Sequence, residues 1–360
     1  MHTRKTHKAI MSKKNYTIWL NKNLSSTVRI LEEFGKAPDA KRFSIICTHP
    51  DKHNPVAQVA DFFALEPGRS VSDDQSYVEF CLQFAREHKV NLFIPGRRQQ
   101  ALAKHQKRFS DAGIKMLLPT DSDTLAIIDN KAKLYQYLPQ GLAIVPQFAV
   151  VNNFQQFEDS VYKMHDSGKE ACFKPTVGIY GMGFHTIAHR RHDAHDDNPL
   201  ARFLAGDSTL IGMDEARFYL SMETSFKELM VMELLTGDER SVDCLALYGE
   251  LKASVCRVKS KREYQLLEDN PTIVEQVRAL TSFLKLNGVF NIQFKDNSKG
   301  EHALLEINSR MSGGLPMACL SGVNFLYWAV RLALEPDSVK SIPTANTGLL
   351  VRDVGQAMLC

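Results

Sequence analysis

Between residues 16 and 119, short apolar runs alternate with segments whose apolar positions recur every three or four residues. The runs YTIWL (16–20), FSIICT (43–48), VNLFIPG (90–96) and KMLLPT (115–120) are β-branched or apolar and end near Gly, Pro or Asn, as strands do. Between the second and third, QSYVEFCLQFAREH sets Tyr77, Phe80, Cys81, Phe84, Ala85 and His88 on one helical face. TVRILEEFG and RQQALAKHQKRFSDAG also read as helices, with Gly35 and Gly113 as their C-terminal caps. Successive β-α-β units predict a parallel, Rossmann-like sheet. The first turn, NKNLSS, has no glycine fingerprint, which argues against a nicotinamide-dependent dehydrogenase.

From about residue 121 the pattern changes. DSDTLAIIDNKAKLYQYL predicts a helix, and Pro146 opens a new unit. A strand EACFKPT leads through VGIYGMG to a second strand, FHTIA. Residues 185–209 are polar and rich in His, Arg and Asp, which predicts a surface loop. ELMVMELL, ERSVDCLALYG and ELKASVCRVK then form a strand series. A helix TIVEQVRALTSFLKLNG follows, with Val274, Val277, Leu280, Leu284 and Leu286 as its apolar set. VFNIQF and HALLEIN read as a hairpin, and VNFLYWAVRLAL closes with a helix. The chain has no internal repeat and no low-complexity segment.

Composition narrows the class. At 360 residues, 44% hydrophobic and 24% charged, the chain has room for two or three domains and is neither disordered nor fibrous. The net charge of +3 is set by the start, where Arg4, Lys5, Lys8, Lys13 and Lys14 occur without an acid. The rest is about −2, so no general basic surface points to nucleic acid. Residues 1–14 are expected to be a disordered basic tail, or to precede a true start at Met11. No apolar run has the length of a membrane span, and the basic start lacks a signal peptide's apolar segment. Seven cysteines lie scattered in apolar contexts without a CxxC pair, as in a reduced, cytoplasmic protein.

Three stretches carry candidate chemistry. In the hairpin, Phe290, Ile292 and Phe294 share one side and Asn291 and Gln293 the other. Leu305 and Ile307 share a face opposite Glu306, Asn308 and Arg310. The connector KDNSKGE is turn-rich, and pairing about its centre brings Gln293 opposite Glu306. Oxygen-bearing side chains beside an arginine suit a hard divalent cation and phosphate. An ordinary solvated sheet face has the same alternation, so the hairpin alone leaves both readings open. In FKPTVGIYGMGF, Lys174 precedes a loop with Gly178, Gly181 and Gly183, which could fold over phosphates; a plain turn fits equally. In VMELLTGDERSVD, Glu233 and Glu239 flank an apolar linker that could hold a ribose and an adenine edge, or be a surface hairpin.

The order of these pieces resembles the ATP-grasp superfamily, most closely the branch that includes the carbamoyl-phosphate synthetase large chain. GVFNIQF…HALLEINSRMSGG is similar to that family's metal-binding hairpin, DNKAKLYQYL to its lysine-bearing helix start, FKPTVGIYGMGF to its lysine and glycine loop, and MELLTGDE to its adenine and ribose linker. Within the superfamily, the chain resembles the proteins encoded near tellurium-resistance gene clusters. The resemblance covers roughly residues 14–330. It implies an α/β and α+β architecture: a Rossmann-like pre-ATP-grasp domain over 15–121, then a two-lobed ATP-grasp domain over 122–360. The ATP-clamping lobe would span about 146–232 and the metal-binding lobe about 233–335.

The resemblance also implies site residues. Gln293, Glu306 and Asn308 would be metal ligands, with Glu306 bridging two Mg²⁺ (or Mn²⁺) ions. Arg310 would hold the transferring phosphate, Lys131 and Lys174 the ATP phosphates, and Gly181 and Gly183 the loop above them. Glu233, Leu234 and Leu235 would line the adenine, and Glu239 would accept ribose hydroxyls. Ser309 stands where the family often has proline, and the Glu233–Glu239 spacing is one shorter than in some relatives. The implied activity is an ATP- and Mg²⁺-dependent carboxylate–amine, or carboxylate–thiol, ligase working through an acyl phosphate on small molecules. It would act in the cytoplasm without nucleic acid or membrane, and a homodimer is common in the family. The competing reading is a non-catalytic ATP-binding regulatory or scaffold module.

Two further stretches have plainer readings. His185, His189, His192 and His195 have helical metal-site spacing, but Arg190, Arg191, Asp196, Asp197 and Pro199 favour a solvated loop. GRRQQ follows the strand NLFIPG, where a substrate-facing loop could lie; a charged helix start is the simpler expectation.

Overall fold

The computed structural model describes residues 15–22, 24–68, 73–178, 181–188, 209–259 and 263–355. The expected basic tail and most of the histidine-rich loop, including His189, His192 and His195, lie outside these residues. The described chain divides into two compact units. The first comprises residues up to Leu125, Ser241–Asn291 and the chain from Asn308 onward; the second comprises Ala126–Arg240 and Ile292–Ile307.

In the first unit, a five-stranded sheet runs in the order Phe62–Leu65, Phe43–His49, Tyr16–Asn21, Leu92–Ile94, Lys115–Met116. All four pairings are parallel, and Trp19 sits opposite both Ile46 and Phe93. Both faces are covered, which is why these strands read as near-continuous apolar runs. Ile18, Leu20, Ile45 and Cys47 pack with Ile30, Leu31 and Phe34 of helix Thr27–Gly35. Trp19, Ile46 and Phe93 pack with Tyr77, Cys81 and Phe84 of helix Asp74–Glu87. The edge strand Phe62–Leu65 escaped the sequence pattern because Phe62 and Leu65 are exposed and the run is only four residues long.

The segment 97–113 forms two short helices, Gln99–Lys104 and Gln106–Asp111, interrupted at His105. Gly113 has the expected left-handed backbone (φ 77°), whereas Gly35 is the last helical residue and Lys36 caps that helix. Helix Pro271–Phe283 is capped by Asn270, whose side chain accepts from Ile273 N–H, and Ile273, Val277 and Leu280 face the core. Its buried face thus starts at Ile273; Val274, expected there, is half-exposed. Helix Phe325–Leu334 packs on Thr27–Gly35: Asn324 Nδ2 donates to Glu33 O (2.6 Å), and the Phe34 and Tyr327 rings meet edge to face.

In the second unit, a five-stranded sheet runs Phe148–Val151, Leu229–Glu233, Ala171–Pro175, His185–Ala188, Leu210–Gly212. Its pairs are antiparallel except the last. Phe157, Val161 and Met164 of helix Phe154–Asp166 pack onto Val151, Ala171, Phe173 and Val231. The helix expected over 121–138 is two, Ser122–Ile128 and Lys131–Tyr137. Asn130 causes the break: its side chain accepts from Lys133 N–H (3.0 Å) and caps the second helix, making Lys131 its first residue. A six-stranded sheet completes the fold, in the order His302–Asn308, Gly288–Asp296, Glu239–Leu247, Glu250–Lys259, Gln265–Glu268, Leu350–Val351.

The six cysteines among the described residues are buried and none is in a disulfide. No helix among the described residues is long and apolar enough to cross a membrane.

Candidate active site

Lys131, Lys174 and Glu306 converge in the second unit. Capping by Asn130 and a bond from Lys131 N–H to Thr176 O (2.9 Å) fix the start of the Lys131 helix against the end of strand Ala171–Pro175. From there Lys131 Nζ donates to Gly178 O (3.0 Å) and lies 3.4 Å from Glu306 Oε2. Lys174 stands on that strand opposite Met230. Burial, with the Lys131 charge adding to it, pulls the Lys174 ammonium down to about 8; Glu306 and Glu239 act in the opposite sense. One buried and one half-buried lysine beside a partly buried carboxylate leave a local excess of positive charge, suited to anionic phosphates.

The glycine loop is anchored to the same strand end. Gly181 and Gly183 both have left-handed backbones (φ 65° and 76°), and Phe184 N–H bonds to Gly181 O (3.0 Å). A Cβ on Gly183 would lie 2.9 Å from Pro175 Cδ, so that glycine is required for close packing as well as for its φ. Val177 and Met182 point to solvent, placing apolar surface on an exposed loop next to the lysines.

Glu306 is placed by strand His302–Asn308. Tyr135 is buried, and its hydroxyl lies 2.8 Å from both Leu304 O and Leu305 O, immediately before Glu306. Burial raises the phenol far above its ordinary value, so the hydroxyl stays protonated and donates. Along the strand, Glu306 and Asn308 project to the same side by alternation. Gln293 is half-buried on strand Gly288–Asp296, the sheet neighbour of His302–Asn308.

The residues expected to line a nucleotide, Glu233 to Glu239, are engaged within the fold through both side chains and main chain. The Glu233 carboxylate pairs with Lys169 (2.7 Å) and lies 3.4 Å from Gln147 N, so it is engaged within the fold. Leu234 N–H bonds to Glu170 O, and Leu235 is buried. Cys172 Sγ lies 3.8 Å from Glu233 O, and burial pushes its thiol up to about 12, leaving it a small apolar filler. The turn before Glu239 is fixed by Asp296. Gly237 N–H bonds to Asp296 O, Asp296 N–H bonds to Asp238 O, and the Asp296 carboxylate pairs with Arg240 and His302, both at 2.6 Å.

In the first unit, Ser309 and Arg310 follow the strand. Gln99 holds this segment: Nε2 donates to Ser309 O (2.9 Å), and Ser309 Oγ donates to Gln99 Oε1 (3.0 Å). The next turn is seated on a buried ion pair. Arg257 Nε meets Asp243 Oδ2 at 2.8 Å, and its other nitrogens reach Gln265, Ser241 and Ser312. Ser312 Oγ donates to Asp243 Oδ1 (2.6 Å), and the guanidinium fills the space where Gly314 would carry a Cβ. Asn291, grouped with Gln293 by alternation, is fully buried and donates to Asp243 and Val242 O.

Sequence reasoning missed Tyr135 and the Asp243–Arg257 pair, and it marked GRRQQ without foreseeing that Gln99 would hold Ser309. An acid inside the apolar run SVDCLAL was the one available signal for the pair, because a buried charge requires a partner. Among the described residues, no cluster of three His, Cys, Asp or Glu side chains is placed to hold a metal. The donor set expected from the hairpin is of a different kind: one carboxylate and two amide oxygens, a hard set that suits Mg²⁺ shared with water and phosphate.

Residues 225–357 match the family described as "ATP-grasp in the biosynthetic pathway with Ter operon". No curated protein matches the chain in sequence. Among solved structures, the chain is similar to N5-carboxyaminoimidazole ribonucleotide synthetase in its ADP complex, with a TM-score of 0.66 and 13% identity over 94% of this chain and 81% of that one. It is similar to the L-amino acid ligase of Bacillus licheniformis, with a TM-score of 0.62 and 15% identity over 90% and 75% of the two chains. It is also similar to the biotin carboxylase domain of Hydrogenobacter thermophilus 2-oxoglutarate carboxylase, with a TM-score of 0.62 and 14% identity over 89% and 69%. The fold is therefore that of the ATP-grasp proteins, and the resemblance to the superfamily and to its Ter-associated members is borne out.

Proposed function

We propose that this ATP-grasp chain is an ATP- and Mg²⁺-dependent ligase that activates a small-molecule carboxylate as an acyl phosphate and joins it to an amine. The observation that carries the reading is the grouping of Lys131 and Lys174 around Glu306, with Lys174 held near 8 by burial and by Lys131. Two ammonium groups set close together beside one carboxylate suit a polyphosphate, and holding them in a largely desolvated site without a ligand costs stability. The biotin carboxylase domain named above was solved with MgADP, ADP and bicarbonate, which supports pairing a nucleotide with a small carboxylate-like anion on this fold.

In this reading Lys131 and Lys174 hold the ATP phosphates, and the Gly181–Gly183 loop covers them and excludes water. The Glu233–Leu235 main chain lines the adenine, and Glu239 accepts the ribose hydroxyls. Glu306, Gln293 and Asn308 would hold Mg²⁺ through one carboxylate and two amide oxygens. The metal would supply charge neutralisation on the transferring phosphoryl group. Arg310 orients the substrate carboxylate and then the acyl phosphate through paired N–H donors. A carboxylate oxygen attacks the γ-phosphorus and ADP leaves. The amine then attacks the acyl carbon, the C–N bond forms as the C–O bond to phosphate breaks, and the nitrogen's proton leaves with the departing phosphate. No protein nucleophile is needed.

The test is ADP release by the purified protein with ATP, Mg²⁺, pooled carboxylates and an amine. A ligase releases ADP only when an acid is present. Release that ignores the acid shows a plain ATPase and overturns the ligase, whereas nucleotide binding without turnover under every combination leaves the non-catalytic ATP-binding scaffold as the correct reading.

A further inference from the structure

Strand Gly288–Asp296 carries a second polar residue on the face of Gln293. Ile292 and Phe294 are fully buried, while Gln293 and Lys295 alternate with them and are half-buried on the opposite face. Asp296 fixes where Lys295 stands. Gly237 N–H bonds to Asp296 O and Asp296 N–H to Asp238 O, so the strand meets the linker turn at Asp296. Lys295 is the residue before that junction, and Glu239, just beyond the turn, opens the neighbouring strand Glu239–Leu247.

A second relation comes from strand Ala171–Pro175 of the same unit. Burial raises the Cys172 thiol, and the Lys174 and Lys295 charges act against it, so the Lys295 ammonium lies near Cys172. Cys172 Sγ is in turn 3.8 Å from Glu233 O. Cys172 and Lys174 share a face, as Gln293 and Lys295 do. On both strands, then, one residue belongs with the expected phosphate and metal groups, and the other lies toward the linker.

The Lys295 side chain has no hydrogen bond or ion pair among the described residues. Two carboxylates at the linker are engaged elsewhere: Glu233 pairs with Lys169, and Asp296 with Arg240 and His302. A half-buried cation without a partner loses hydration and gains nothing in the ligand-free chain. Its four-carbon stem can cover a flat apolar surface while its tip donates. Cys172, small and neutral, leaves room for such a surface and adds no competing charge.

We propose that Lys295 is a base-recognition residue of the nucleotide site, its stem lying against the purine ring and its ammonium donating to a ring nitrogen, N7 or N3. Adenine presents an acceptor on each of these edges. A donor held in a partly desolvated site discriminates against an analogue that lacks its acceptor. The assignment rests on the nucleotide-binding part of the reading above and is independent of the ligase chemistry.

Calorimetric titration of the full chain, in Mg²⁺, with ADP, 7-deaza-ADP, 3-deaza-ADP and tripolyphosphate tests the proposal. The parent is expected to bind one of the two deaza analogues at least about fivefold more weakly than ADP. Lys295→Met should weaken ADP about tenfold and bind that analogue and ADP equally. Its tripolyphosphate affinity should equal the parent's, and its melting temperature should be no lower. Unchanged ADP affinity in Lys295→Met overturns the assignment. Equal losses for ADP and tripolyphosphate overturn it too, because Lys295 would then be a phosphate residue. So does a parent that discriminates against neither analogue. Each of these results leaves nucleotide binding by the chain intact, whereas a parent that binds no nucleotide removes the site itself. Lys295-dependent base recognition without acid-dependent ADP release would retain the assignment and remove the ligase.

Discussion

Lys131 Nζ lies 3.4 Å from Glu306 Oε2 and at the same time donates to Gly178 O, so one ammonium group ties the candidate metal ligand to the start of the glycine loop. In an ATP complex this lysine would exchange part of that contact for phosphate. Lys131→Met should therefore weaken ATP binding, and Glu306→Gln should spare most nucleotide affinity but cut acid-dependent ADP release about 100-fold or more. Nucleotide titration and initial rates on the two variants separate the roles. A Glu306→Gln protein with the parent's rate would remove Glu306 from the chemistry.

Lys174 predicts a pH dependence with two opposite signs. Its ammonium is held near 8, below the ordinary 10.5 of a lysine, chiefly by burial. The proton that would bind phosphate is thus lost as pH rises through about 8, and ATP affinity should fall there while the acidic side stays flat. Stability runs the other way. The unfolded chain retains this proton up to the ordinary value, so from about 8 to 10.5 the unfolded state binds more protons and Lys174 makes stability rise with pH. Lys174→Met should accordingly stabilise the ligand-free protein at neutral pH, on the order of 1–3 kcal/mol, while abolishing tight ATP binding. Urea melts at pH 7 and 9.5 beside ATP titrations show both signs; a Met variant less stable than its parent at pH 7 contradicts the assignment.

How much of this was legible beforehand follows from the range of each interaction. Trp19, Ile46 and Phe93 announced the parallel sheet because both of its faces are buried, so apolar residues run consecutively through the middle of each strand. The order of the candidate motifs was also readable, since Lys131, Lys174, Glu306 and Arg310 keep recognisable local contexts. What escaped depends on partners far apart in the chain. Gln99 meets Ser309 across 210 residues, and Tyr135 meets Leu304 across 169. Neither residue looks unusual in its own segment. Asn130 is a local signal for the break within 121–138: its capping side chain divides one apparent helix into two and accounts for the helix start at Lys131 that the family resemblance implied.

The buried Arg257–Asp243 pair predicts a large stability effect behind Arg310. Both side chains are essentially inaccessible, and the guanidinium also holds Ser312 and Gln265. Arg257→Met leaves the Asp243 carboxylate buried with only neutral donors, at a cost of about 3–5 kcal/mol. Asp243→Asn should cost less, because Asn291 and Ser312 can still bond to it. Chemical denaturation gives both values, and a cost for Arg257→Met within 0.5 kcal/mol of zero would show that the pair is relaxed in solution.

Gly183 offers a test of the loop that is independent of charge. Its φ of 76° disfavours any L side chain, and a Cβ would press on the Pro175 ring. The loop is exposed, so Gly183→Ala should cost only about 1–2 kcal/mol in global stability. On the proposed ligase reading, its effect on nucleotide handling should be larger in proportion, because Pro175 directly follows Lys174 and a displaced loop would neither cover the phosphates nor exclude water. Acid-independent ATP hydrolysis should then rise relative to acid-dependent ADP release, as water would reach the phosphoryl group that the loop is proposed to shield. Gly178→Ala is the control: its Cβ meets nothing closer than 3.9 Å, so it should leave that ratio near the parent value. If the two alanine variants uncouple hydrolysis equally, the loop's role lies in its flexibility and not in the packing of Gly183 on Pro175.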